Sequence, residues 1–232
     1  MLGVVVQLII SWLLVWLFER KGLSVLGLFP TRERAQNFIF GLIASAITCA
    51  VYFLAVGYAS EGSWIANDDF SFQSLLHGLW WNLTSVLFEE LIFRGVLLYI
   101  AIKRLGLTTG CVISAVCFGI YHWFSYNVFG DIVQMSITFI VTGIAGLMFA
   151  FAYGITKSVY LPIALHYGYN FTANVIFSNG PLGEQLLILR NGHLLSGMIS
   201  IVASVFQMLA LPILMLWYLS RVRQSQLSES KN

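Results

Sequence analysis

The chain has 232 residues, of which 59% are hydrophobic and only 9% charged, with a formal net charge of +2 and a mean hydropathy of +0.84. A soluble domain carries about 25% charged residues, so the composition excludes a soluble globular protein, and the length holds one membrane domain without a second folded unit. The basic residues form only short clusters, which leaves no electrostatic footprint for nucleic acid.

A membrane-spanning helix needs about 20 mainly apolar residues. Seven stretches meet or approach this, at 2–18, 36–58, 72–102, 110–124, 132–153, 159–177 and 194–219. The first begins at Leu2 with no basic leader or cleavage site, so it reads as a span and not a signal peptide. The third is long enough to begin in the interface. Pro162 falls near the start of the sixth, and Pro212 is a kink point in the seventh. Residues 1–223 form one polytopic domain, and 224–232 read as a polar, disordered tail. Cys49, Cys111 and Cys117 lie in apolar stretches without a CxxC pair and read as buried, inert thiols.

Loop charge sets orientation. Arg20, Lys21, Arg32, Arg34, Lys103, Arg104, Lys157, Arg221, Arg223 and Lys231 follow the odd-numbered spans. Arg190 is the one basic residue on the other side, with Glu61, Asp68, Asp69, Asp131 and Glu184. The expected arrangement is an all-α membrane protein of about seven transmembrane helices in the cell membrane, N-terminus outside and C-terminus cytoplasmic.

Only Glu89, Glu90 and Arg94 put charge inside a span. An ionised group at mid-bilayer costs roughly 2.5–3.5 kcal/mol even on the lenient insertion scale, and such residues are functional by default. Glu90 and Arg94 are four apart and share a helix face, with the acid first, the better order for an ion pair. Glu89 is turned about 100° from Glu90 and is free for chemistry. The fourth span carries FGIYH, with Phe118 and His122 four apart, and the sixth carries HYGYN, with His166 and Asn170 four apart. Counted from the cytoplasmic span ends at ~1.5 Å per residue, Glu89, His122, His166 and Asn170 lie at depths of ~20, ~18, ~10 and ~16 Å. They can therefore meet in a polar cavity facing the cytoplasm. His77 and His193 read as interfacial, as do Trp80, Trp81, Trp123 and Trp217. Gly143 and Gly146 read as helix-packing positions. HExxH and GxSxG are absent.

EELIFR at 89–94, FGIYH at 118–122 and HYGYN at 166–170 fit the patterns EExxxR, FxxxH and HxxxN. In this order and on separate spans, they resemble the CAAX prenyl protease and bacteriocin-processing family, the type II CAAX prenyl endopeptidase group of intramembrane proteases. The resemblance covers roughly residues 75–177. It implies an intramembrane endopeptidase with a conical cavity open to the cytoplasm. The family's catalytic glutamate falls on Glu89, its second glutamate and arginine on Glu90 and Arg94, its histidines on His122 and His166, and its asparagine on Asn170. Implied substrates are membrane-bound peptides or proteins, prenylated or bacteriocin-like.

The mechanism expected is amide hydrolysis. Glu89 and His122 hold the attacking water, and His166 and Asn170 donate to the oxyanion. A zinc version places the metal on Glu89, His122 and His166, and the residues leave none and zinc both open. Two rival readings keep the polar residues without proteolysis. One is a membrane scaffold or immunity protein of the same fold. The other is a proton-coupled transporter, which the lack of an inverted repeat disfavours.

Overall fold

A computed structural model describes residues 2–177 and 185–229 of the chain. Within them run α1 (Leu2–Glu19), α2 (Arg32–Ala59), α3 (Phe72–Phe93), α4 (Val96–Leu105), α5 (Leu107–Ser125), α6 (Ile132–Thr156), α7 (Tyr160–Phe171) and α8 (Gly197–Glu229). Side chains that satisfy the first free backbone N–H groups fix several starts. The Thr31 side chain accepts from Arg34 at the head of α2, and Asp131 accepts from Val133 and Gln134 at the head of α6. Ser71 and Ser74 form a reciprocal cap at the head of α3.

The protein is an all-α membrane protein. Among the described residues, α1, α2, α5, α6 and α8 are the five helices long and apolar enough to cross a membrane by themselves. The remaining two spans of the sequence reading are broken. Stretch 72–102 is not one helix: α3 stops at Arg94, and α4 restarts after Gly95. The cause is local. Gly95 takes φ −85°, ψ −143°, and a Cβ there would stand 2.0 Å from the Leu91 carbonyl oxygen. Ser114 Oγ of α5 donates to the Phe93 carbonyl at 2.7 Å, satisfying one of the acceptors that the break frees. Stretch 159–177 holds α7, of 12 residues, followed by a π turn at Thr172–Phe177.

Two smaller expectations also change. The tail read as disordered continues α8 as far as Glu229, because nothing in the sequence 224–229 breaks a helix already begun. Cys117 is exposed on the outer face of α5 beside Val116 and Ile120, whereas Cys49 and Cys111 are buried. Glu184 and Lys231, used above in the loop-charge argument, lie outside the described residues.

Small residues let the inner helices approach closely. A Cβ on Gly41 of α2 would lie 2.9 Å from Leu161 of α7, and one on Gly168 of α7 would lie 2.3 Å from Ser45 Oγ of α2. The connections gather at two opposite ends. At one, Glu19 pairs with Lys103 and Arg104, the Tyr153 hydroxyl donates to the Val25 carbonyl at 2.9 Å, and the Val159 N–H donates to the Leu26 carbonyl at 3.1 Å. At the other, β1 (Ser63–Ala66) pairs antiparallel with β2 (Leu187–Arg190), Ser63 opposite Arg190. This two-stranded sheet joins the α2–α3 connection to the segment that precedes α8.

Candidate active site

The site is built where α3 ends, against the last two turns of α5 and the first turns of α7. Glu90 Oε2 lies 3.3 Å from Arg94 Nε, and both side chains are fully buried. The other Glu90 oxygen accepts Nδ1–H of His166 at 2.7 Å. One carboxylate thus bridges a guanidinium and an imidazole, a link that the motif spacing alone did not give. The Arg94 guanidinium makes no hydrogen bond among the described residues. Besides the Glu90 carboxylate, its charge is met by aromatic faces: Cζ stands 4.0 Å from the Phe118 ring centre and 4.9 Å from that of Phe149.

Glu89 stands apart from this pair. Its Oε2 lies 3.9 Å from His122 Nε2 and 3.9 Å from His166 Nε2, and its side chain is 13% exposed where Glu90 is at 0%. His122 donates Nδ1–H to the Phe118 carbonyl at 2.8 Å, one turn back on α5. With Nδ1 engaged in both rings, it is the two Nε2 atoms that face the Glu89 carboxylate. The 3.9 Å separations exceed a direct hydrogen bond and match groups that share one bridging water.

Packing holds these rings at fixed angles. Phe149 of α6 stacks on His166 at 5.0 Å and 17°. Phe118 meets His122 edge-on at 4.4 Å and His166 at 6.1 Å. Phe118 is in turn backed by Gly146, where a Cβ would approach its ring to 2.9 Å. Gly143 has only the Ala115 carbonyl at 4.0 Å, so Gly146 is the packing glycine of the two. Tyr126 stands over His122 at 5.0 Å, nearly perpendicular.

The structure thus brings Glu89, Glu90, Arg94, Phe118, His122 and His166 together. Asn170 lies one turn beyond His166 on α7, half-buried, and its side chain forms no hydrogen bond among the described residues. His77 and His193 are exposed and apart; His193 faces Glu61 at 3.8 Å on the surface. Phe149 was not found by sequence reasoning, because an aromatic residue in an apolar helix carries no signal of its own. Asn82 and Asn174 were also missed. Asn174 Nδ2 donates to Asn82 Oδ1 at 3.1 Å, and Asn82 is fully buried. Both follow from a helical step: Asn174 is four beyond Asn170, and Asn82 is seven before Glu89.

Zinc fits the site in kind but not in spacing. Two imidazoles whose other nitrogens are hydrogen-bonded, plus a carboxylate, are a donor set that zinc uses. Ligand atoms around tetrahedral zinc at ~2.0–2.1 Å bonds stand ~3.3 Å apart, whereas both nitrogen–oxygen separations here are 3.9 Å. Among the described residues, no group of three or more His, Cys, Asp or Glu is disposed to hold a metal ion.

No curated protein and no solved structure matches the chain. A protein-family model does match, over residues 70–172. That segment contains all three motifs and every residue that surrounds Glu89 in the geometry above. The model is that of the Rce1-like type II CAAX prenyl endopeptidases, to which residues 70–172 are similar.

Proposed function

We propose that the protein is an intramembrane endopeptidase that hydrolyses a peptide bond of a membrane-associated substrate through water activated by Glu89 and His122. The observation that supports this is the division of labour between adjacent carboxylates. Glu90 is consumed by Arg94 and His166, while Glu89 presents an unpartnered buried oxygen to two imidazole nitrogens.

The steps follow from that geometry. A water held between Glu89 and His122 attacks the scissile carbonyl carbon and gives one proton to Glu89. The tetrahedral oxyanion accepts from His166 Nε2–H and from the Asn170 amide. Glu89 then returns its proton to the amide nitrogen, and the C–N bond breaks. For His166 to donate through Nε2 while Nδ1–H is bound to Glu90, the ring must carry both protons.

The substrate class proposed is a membrane-bound peptide or protein, prenylated or bacteriocin-like, entering from the cytoplasmic side of the cell membrane. The basic connections support that side. A reporter fused after Arg223 should read cytoplasmic and one inserted at Asp68 external; a cytoplasmic Asp68 breaks the orientation. The activity is tested by comparing the membrane proteomes of cells with wild-type protein and with Glu89→Gln. A peptide whose cleaved form disappears in the variant names the substrate, and identical proteomes count against proteolysis.

A further inference from the structure

We infer that the basic end of the molecule carries a binding site for the phosphate headgroup of an anionic glycerophospholipid, in a cavity formed by the α1–α2 connection and the ends of α4 and α6. The inference is independent of the hydrolase reading.

The cavity has a volume of about 740 Å³, within the usual ~300–1,000 Å³ of small-ligand sites. Lys21, Arg34, Lys103 and Lys157 line it, and no acidic residue does. Lys103 is engaged by Glu19. Lys21, Arg34 and Lys157 form no ion pair among the described residues.

Two of the cationic side chains are tethered by hydrogen bonds, and the third projects from a fixed backbone turn, with Lys21 and Lys157 exposed and open to a ligand. Arg34 is half-buried, and its Nη1 donates to the Phe29 carbonyl at 2.6 Å. Lys21 Nζ donates to the Tyr99 hydroxyl at 3.2 Å. Lys157 is the left-handed cap of α6, its backbone N–H bonded to the Tyr153 carbonyl at 2.7 Å. Val25 and Ile102 supply apolar wall. A converging cationic rim over an apolar floor matches a phosphodiester joined to glycerol and the first methylenes of an acyl chain. The positive-inside bias by itself scatters charge around the perimeter, as Arg20, Arg32, Arg104, Arg221 and Arg223 are scattered outside this lining. The cavity lies among helix ends, where the orientation proposed above would put the headgroups of the anionic leaflet.

The test uses purified full-length protein, titrated with phosphatidylglycerol or phosphatidylcholine and read by native mass spectrometry for retained lipid. Phosphatidylglycerol should be retained preferentially. Lys21→Gln with Lys157→Gln should weaken its retention about 25-fold, about fivefold for each basic residue removed near an anionic headgroup. Arg221→Gln with Arg223→Gln, the same charge loss outside the cavity, should leave retention within twofold. Equal loss in both double variants, or no preference over phosphatidylcholine, overturns the site. A parallel melting assay with inorganic phosphate separates the sources: protection by phosphate without lipid preference assigns the cavity to a soluble anion and overturns the lipid assignment.

Discussion

The outer helices and the inner ones answer to different rules. α8 and α1 are long and strongly apolar, yet only 11% and 17% of their most apolar windows are buried within the protein. α5 and α6 bury 39% of theirs. α3, α4 and α7, which hold Glu89, Glu90, Arg94, His166 and Asn170, fail as independent spans. The lesson is physical. Chemistry in a bilayer needs polar side chains, interrupted backbone and a protein shell to shield both. The most exposed spans, α1 and α8, are therefore the shell; α5 and α6, more deeply buried, supply His122, Phe118 and Phe149, and the carboxylates and His166 come from helices that fail as spans.

The largest effect should come from Glu89→Gln. The amide keeps the shape of the side chain but cannot take a proton from water. Loss of a general base typically costs 10²–10⁴ in rate, and the variant should accumulate and melt like wild type because a desolvated charge is removed. Rate measurement on purified variant and wild type checks this. A folded Glu89→Gln protein cleaving at near wild-type rate refutes the glutamate-base mechanism and favours a scaffold that merely keeps the fold.

Glu90→Ala should show the opposite pattern, with folding lost first. It leaves Arg94 buried without its partner, and breaking a buried pair costs about 3–5 kcal/mol in soluble proteins. Glu90→Ala with Arg94→Ala should recover accumulation over either single change. The double variant should stay inactive all the same, since the hydrogen bond from His166 Nδ1 to Glu90 at 2.7 Å is gone. Accumulation and melting of the three proteins test the pairing. Recovery of both fold and turnover would show that Glu90 serves only Arg94.

That coupling marks where the sequence stops being legible. The EExxxR, FxxxH and HxxxN spacings place Glu89, Glu90, Arg94, His122 and His166 on usable faces, because each spacing is one helical turn. They do not say which carboxylate a histidine from another helix will choose; that depends on the packing of α3 against α7. The long apolar stretches α1, α2, α6 and α8 were legible for the same reason that they are uninformative about function: hydropathy sees composition. It averages over Gly95, so the break between α3 and α4 was invisible, although Arg94 beside a glycine marks the place. The π turn at Thr172–Phe177 and the pairing of Ser63–Ala66 with Leu187–Arg190 arise from contacts distant in sequence. Periodicity within a short apolar run carries no trace of either.

Gly95→Ala tests the break directly. The added Cβ would stand 2.0 Å from the Leu91 carbonyl oxygen, so the backbone must shift. Overpacking of this kind typically costs 1–3 kcal/mol. The shift moves Arg94 relative to Phe118, so melting temperature and activity should fall together. If Gly95→Ala melts like wild type, α3 and α4 can join as one helix, and the interruption is not required for the site.

The smallest effect belongs to the shell. Leu216 on α8 is 70% exposed, and in the membrane its neighbours are acyl chains. Lipid is as apolar as leucine, so removing three carbons there loses little transfer energy and opens no cavity, because lipid fills the space. Leu216→Ala should change stability by no more than about 0.5 kcal/mol, the range of surface substitutions away from special features, with turnover intact. Unfolding of the variant and wild type in mixed micelles measures it. A loss several times larger would mean that this face of α8 packs against protein, such as a second copy, and the division between shell and site would have to be redrawn around that contact.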